Sequence, residues 1–289
     1  MQLPRGLNWS LLVARGTLLL AALVLVWSPF AHALEVWSTD EEFTYGFLIP
    51  PIALAIVWWR REGLLRSIGP GRNAGLIIVA ASIVVLLLSR RTGINALGGI
   101  AVSPLLIGAA VYLWGWRAGR VLAFPSCFLV FGLGLYRGLL SSVGFILQDA
   151  TAGGAAWAAQ HVGLNVVRDG LVLHSATASP AYAFIVAQAC SGMSSLLSLL
   201  ALAALWMYAT RGRMTARVAV FAGVLPLVLI ANTARVTLVL IVADSFGEDA
   251  ALGFFHGASS LVLFGLALMG LLALSRTVGC KLPTFATSS

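Results

Sequence analysis

The chain is predicted to be an all-α polytopic membrane protein of about eight transmembrane helices, with a small loop and β-hairpin cap on the outer face. Three observations predict it. Of its 289 residues, 60% are hydrophobic and only 10% charged, with a mean hydropathy of +0.97; one soluble core cannot hide that much apolar surface. Apolar runs long enough to cross a bilayer recur along the chain. The basic residues fall in alternate connections between those runs, the pattern that orients multi-span proteins.

The first run covers about 13 to 33. Arg15, the apolar stretch Thr17 to Trp27 and the triplet Ala31-His32-Ala33 also have the form of a signal peptide with its cleavage site. With so many spans following, an uncleaved first helix is the more economical reading. The second and third runs, about 44 to 59 and 74 to 89, are short, so the count is seven or eight. A fourth and fifth follow at about 95 to 116 and 121 to 139, then a sixth, seventh and eighth at about 191 to 210, 217 to 243 and 254 to 275. No internal repeat and no soluble domain accompany them, and residues 1–289 read as one membrane domain.

The segment from about Leu140 to Ala189 is the one large loop. Within it, Val166-Val167-Arg168-Asp169-Gly170-Leu171-Val172-Leu173 sets Asp-Gly between two aliphatic runs, a hairpin signal. Phe184 to Ala187 adds a third extended piece, and Ser142 to His161, rich in Ala and Gly, is expected to lie along or dip into the outer membrane surface.

With the N-terminus inside, Arg5, Arg15, Arg60, Arg61, Arg66, Arg72, Arg117, Arg120, Arg211, Arg213, Arg217, Arg276 and Lys281 all fall on the inner side, and every acidic residue except Glu62 falls outside. The positive-inside rule selects an N-in, C-in arrangement with eight spans. The formal charge of +8 therefore orients the protein and gives no support for nucleic acid as a partner. Cys127, Cys190 and Cys280 lie in separate segments without metal-ligand spacing, so neither a disulfide framework, a metal site nor any other cofactor is expected. Cys127 reads as a small buried hydrophobe within a helix.

The third thiol is different. Ala187-Gln188-Ala189-Cys190-Ser191-Gly192-Met193 places Cys190 at the outer start of the sixth span, with Ser191 and Gly192 in its first turn. Amide groups at a helix N-terminus lower a thiol pKa and hold a developing oxyanion. A small residue packing at a helix entry explains the same stretch equally well. Arg235 lies inside the seventh span, roughly two and a half turns before its outer end. A cation at that depth is costly unless it faces a polar interior, and so marks function. Asn232, three residues earlier, shares its helical face. His256 opens the eighth span on the same outer side. Together the three helices offer a nucleophile, a permanent cation and a base. His32, His161 and His174 sit in loops and compete less well, and a centre on Ser191, Ser194 or Ser195 lacks the buried carboxylate of a triad.

The order Ala-Cys-Ser-Gly, then Asn-x-x-Arg-Val, then a His opening the last helix resembles the exosortase/archaeosortase family of membrane cysteine transpeptidases. Trp37 to Arg61, with Asp40, Gly46-Phe47-Leu48-Ile49-Pro50 and Trp58-Trp59-Arg60-Arg61, is similar to that family's N-terminal signature, and Trp114 to Pro125 and the hairpin from Gly163 to Leu173 also fit. Two positions depart from the pattern: Gln188 stands where the family usually has Glu, and Tyr45 where His is common. The resemblance implies an enzyme of the bacterial inner membrane, its active site facing the periplasm. Its substrates would carry a C-terminal sorting signal: a short motif such as Pro-Glu-Pro, one transmembrane helix and a basic tail. It implies Cys190 as nucleophile forming a thioester, Arg235 as stabiliser of the thiolate or oxyanion and His256 as proton shuttle, supported by Asn232, Ser191, Gly192 and Gln188. Membrane lipid is the expected surrounding, and the product passes to an acceptor at the cell surface or in exopolysaccharide. Two rivals from other classes remain: a small transporter with Arg235 and Asn232 as an anion site, and a non-catalytic assembly factor for envelope polysaccharide.

Overall fold

A computed structural model describes residues 9–133, 137–175, 183–186, 192–252 and 254–280; at some of these, 254–263 among them, the backbone alone is described. The chain divides into two compact units, Met1–Leu139 and Leu140–Ser289.

The first unit opens with α1 (Trp9–Thr39), which contains the whole of the first expected span. Asp40 then caps a 3-10 helix, Glu41–Leu48, by accepting the Glu42 amide at 3.1 Å. That helix runs into α2 (Ile49–Trp59), where Pro50 and Pro51 occupy the first turn and cost no hydrogen bond. After the short α3 (Arg61–Ser67) come α4 (Ala74–Thr92) and α5 (Asn95–Phe128), with α6 (Val130–Leu133) following. Gly93, left-handed at φ 71°, ends α4 and lets the chain reverse. Along α4 the buried positions Gly75, Val79, Ser82, Leu86 and Ser89 form one face, packed on Ala101, Leu105 and Ala109 of α5. A Cβ on Gly75 would come within 2.3 Å of the Tyr112 amide nitrogen and 2.6 Å of the Gly108 carbonyl oxygen. The two backbones therefore touch, the small-residue packing typical of helices in lipid.

α5 itself folds back. At Gly115 (φ 82°, ψ 175°) the helical path breaks, and Ser103 Oγ donates to the Ser126 carbonyl at 2.6 Å, joining residues that a straight helix would hold about 34 Å apart. The fourth and fifth expected spans are thus two arms of one helical stretch. The carbonyls of Val111 and Trp114, orphaned at the end of the first arm, accept the amides of Arg72 (3.1 Å) and Gly69 (3.0 Å) from the connection before α4.

The second unit holds all but the first three residues of α7 (Arg137–His161), strands β1 (Val166–Asp169), β2 (Val172–Ser175) and β3 (Ala183–Ile185), then α8 (Met193–Ala209), α9 (Met214–Phe246), α10 (Glu248–Leu252) and α11 (Phe254–Thr277). The strands form one antiparallel sheet in the order β1-β2-β3. Asp169 pairs with Val172, so Gly170 takes the first central position of the turn, at φ 59°. The segment 142–161, expected to lie along or dip into the outer membrane surface, is helical. It is the body of α7, whose Ala152, Ala155, Ala156 and Ala159 are buried in one core with Val166 and Leu173 of the sheet and Val239, Leu240, Val242 and Ala243 of α9. Phe145, Ile146 and Trp157 of the same helix are exposed. α9 continues through Pro226 without a break.

Four helical stretches among the described residues are long and apolar enough to span a bilayer: Glu42–Trp59, Ala74–Thr92, Asn95–Leu133 and Met214–Phe246. Met193–Ala209 and Phe264–Thr277 are apolar but shorter. Eight separate spans are not resolved in this way. The reasons are the merged arms of α5, the late start of α8 and the backbone-only description at the start of α11. Alongside its apolar cores, the chain exposes large aliphatic side chains such as Leu54, Ile77 and Ile230 and buries Ser82, Ser103, Ser126, Thr151, Asn232 and Arg235. That distribution suits a lipid surrounding. Cys127, expected to be buried, is exposed on the second arm of α5, on a surface where an apolar thiol meets lipid as readily as protein.

Candidate functional site

α8 begins at Met193, two residues after the expected start at about 191. Gly192 is its N-cap, with a left-handed φ of 80°, so it lies outside the first turn rather than within it. A Cβ added to Gly192 would meet the Asn232 side chain at 3.1 Å. Two candidates from helices forty residues apart in sequence are therefore in contact, and Gly192 satisfies both its backbone angle and the space left by Asn232. Asn232 is buried, and its Nδ2 donates to Thr151 Oγ1 of α7 at 3.1 Å. Next to it, Gly154 of α7 packs on Thr233, with 3.0 Å left for a Cβ. The start of α8, the middle of α9 and α7 thus converge at one level.

Arg235 is 6% exposed, an unusual setting for a guanidinium. It borders a small cavity of about 10 Å³, about one water's worth. Ser195 of α8, Val228, Ala231 and Asn232 of α9, and Phe264 and Ala267 of α11 complete the lining. Three helices surround the cation. The contacts of Gly223 with Leu274 and of Gly270 with Leu227 set the antiparallel register of α9 and α11. Ser275 Oγ accepts from Trp206 Nε1 at 2.6 Å and ties α11 to α8.

His256 is the third residue of α11, in its first turn as expected. It precedes Phe264 by about 12 Å of helix rise. In the α9–α11 register it lies about two turns nearer the C-terminal end of α9 than Arg235 does. Gln188, Cys190 and Ser191 lie outside the described residues. The structure thus brings together Gly192, Asn232 and Arg235, and places the backbone of His256 on the third wall of the same helix group.

Two of the other histidines are engaged elsewhere. His161 Nδ1 is 2.8 Å from the Trp157 carbonyl of its own helix, with the Trp157 ring 4.2 Å away. His32 Nε2 is 3.1 Å from Asn95 Nδ2 in the first unit. Thr151 was missed by the sequence reading. It is fully buried and is the hydrogen-bond partner of Asn232. The signal available for it was the alanine spacing that follows, at 152, 155, 156 and 159, which repeats with a helical period.

The N-terminal signature residues form a packing cluster. Trp37 is buried and its Nε1 donates to the Gly132 carbonyl at 3.1 Å. A Cβ on Gly46 would fall 2.1 Å from Trp37 Nε1, so glycine there makes room for the indole. Tyr45 Oη donates to the Phe131 carbonyl at 2.9 Å, a bond that anchors the 3-10 helix to α6. No metal-binding group of His, Cys, Asp or Glu occurs among the described residues.

Compared with known proteins, the chain matches the family model for transmembrane exosortases over residues 37–273, which takes in the N-terminal cluster, the sheet, Asn232, Arg235 and His256. No curated protein and no solved structure matches it.

Proposed function

From the fact that this chain belongs to the transmembrane exosortase family, and so has a protease- or transpeptidase-like role in a membrane, we propose that it is a cysteine peptidase/transpeptidase. Its substrates are exported proteins with a C-terminal sorting signal. The observation that carries the reading is the contact between Gly192, at the entry of α8, and Asn232, one turn from the buried Arg235. Gly192 follows Cys190 by two residues, and covalent geometry keeps their Cα atoms within about 7.6 Å. In this proposal Arg235 lies beside the Cys190 thiol, and a cation so placed favours the thiolate.

In the proposed reaction the Cys190 thiolate attacks the scissile carbonyl, forming a C–S bond and a tetrahedral oxyanion. Arg235 offsets that charge, in low-dielectric surroundings where a fixed cation counts for more than in water. Collapse of the intermediate breaks the C–N bond. The departing amine takes its proton from His256, leaving the exported protein as a thioester on Cys190. Attack by an acceptor nucleophile, deprotonated by the same imidazole, then breaks the C–S bond and returns the thiolate. Asn232, held by Thr151, positions the substrate backbone. The enzyme is proposed to sit in the inner membrane with its site toward the periplasm, where a substrate helix in the bilayer presents its juxtamembrane motif. A transporter fits less well, because the cavity of about 10 Å³ beside Arg235 has no room for a solute.

The test is an immunoblot of a protein from the same cell bearing a Pro-containing motif, an apolar 20-mer and an Arg-rich tail. Cys190→Ala is expected to abolish its shortening. Arg235→Ala is expected to slow it by about 10²-fold or more, the usual loss when an oxyanion partner is removed. Normal shortening with Cys190→Ala ends the cysteine mechanism. Loss with Cys190→Ala but full activity with Arg235→Ala or His256→Ala removes that residue from the site.

A further inference from the structure

Within the first unit, a cavity of about 380 Å³ opens at the turn of α5, in the size range of small-ligand sites. Arg66 and Arg72, from the segment before α4, and Arg117 and Arg120, from the second arm of α5, line it together with Trp114 and Trp116; all four arginines are exposed. Glu62 is the one acidic residue between positions 43 and 148. It pairs with Arg66 at 3.5 Å, and the lining itself contains no acid. The loop that carries Arg72 is held by backbone bonds to Val111 and Trp114, so the backbone at Arg72 is fixed against α5. Arginines converging in this way match phosphate oxygens bidentately, as a lysine cluster does not.

A second cavity, an apolar groove of about 460 Å³, runs between the two arms of α5 and α2. It reaches from Val102 to Trp114 along the first arm, about 18 Å of helix rise, which is the length of an extended acyl chain. Trp114 lines both cavities. The polar chamber and the apolar groove therefore share Trp114, a residue type that favours a membrane interface.

We infer that the first unit binds an anionic phospholipid, its phosphate held by Arg66, Arg72, Arg117 and Arg120 and one acyl chain laid in the groove beside Trp114. Basic pockets between membrane helices recognise such headgroups. The positive-inside arrangement assigns this lipid to the cytoplasmic leaflet. The assignment rests on no part of the proposed catalytic function.

Native mass spectrometry of the purified full-length protein, with phosphatidylglycerol, phosphatidylcholine or sn-glycerol 3-phosphate added in turn, tests it. Phosphatidylglycerol is expected to be retained at least fivefold over phosphatidylcholine. R72Q/R117Q should erase that preference, whereas R72K/R117K, which keeps the charge and reports on folding, should keep part of it. Leu54→Trp, at an exposed groove position, should weaken phosphatidylglycerol retention several-fold and leave glycerol phosphate binding unchanged. Equal retention of the two lipids, or an unchanged preference in R72Q/R117Q, overturns the site. Displacement of phosphatidylglycerol by an equal concentration of glycerol phosphate overturns the acyl-chain half and leaves an anion site.

Discussion

Gly192 carries two constraints at once, a φ of 80° and a neighbouring Asn232 side chain 3.1 Å from where a Cβ would stand. Gly192→Ala therefore adds backbone strain of about 1–2 kcal/mol and pushes Asn232 away from Thr151. The expected outcome is a lower melting temperature in detergent together with slowed substrate shortening. An alanine variant as stable and as active as the parent would show that the α8 entry tolerates another conformation. Arg235 was legible from sequence because a charge within an apolar run is costly, and the structure bears out its burial. Thr151 was not, because the alanine spacing beside it marks a buried helical face and not the partner of a distant amide. Its meaning comes from Asn232, eighty-one positions away.

At the scale of elements, small residues decide where helices meet. Gly75 of α4 touches the backbone of α5 at Tyr112 and Gly108, so Gly75→Val is expected to wedge the pair apart and cost about 1–3 kcal/mol, the usual range for overpacking. Thermal unfolding of the solubilised protein, set beside Gly63→Val, whose glycine has no neighbour within 4 Å, reads the difference. Equal melting temperatures for the two variants would mean that α4 and α5 pack less closely than described. The hairpin of β1 and β2 was legible, since aliphatic runs flanking Asp-Gly specify it locally. The fold-back at Gly115 was read as a gap between two spans, without the loop 69–72 that satisfies the carbonyls of the first arm. The core contacts of α7 were not legible, because its alanines give little amphipathic contrast. They are small because they pack closely against α9 and the sheet.

For the whole molecule, hydropathy and charge make a prediction about orientation. Alkaline phosphatase fused after Gly212 or after Leu282 is expected to be inactive, and fused after Gly247 active, in keeping with an N-in, C-in chain. Activity in the opposite pattern would invert the topology and place Arg235 and His256 toward the cytoplasm. The sequence by itself determined the membrane class, the helix-rich architecture, the hairpin and the candidate residues. Hydropathy, charge bias and turn chemistry are properties of short windows, and a family motif is a string of residues. Only the tertiary structure decided that the cap of α8 meets α9 at Asn232, that α7 carries the partner of that amide, and that the arms of α5 close on one another. Those registers are set by close backbone approach at glycine and alanine between segments far apart in sequence, and no local window contains both sides of such a contact.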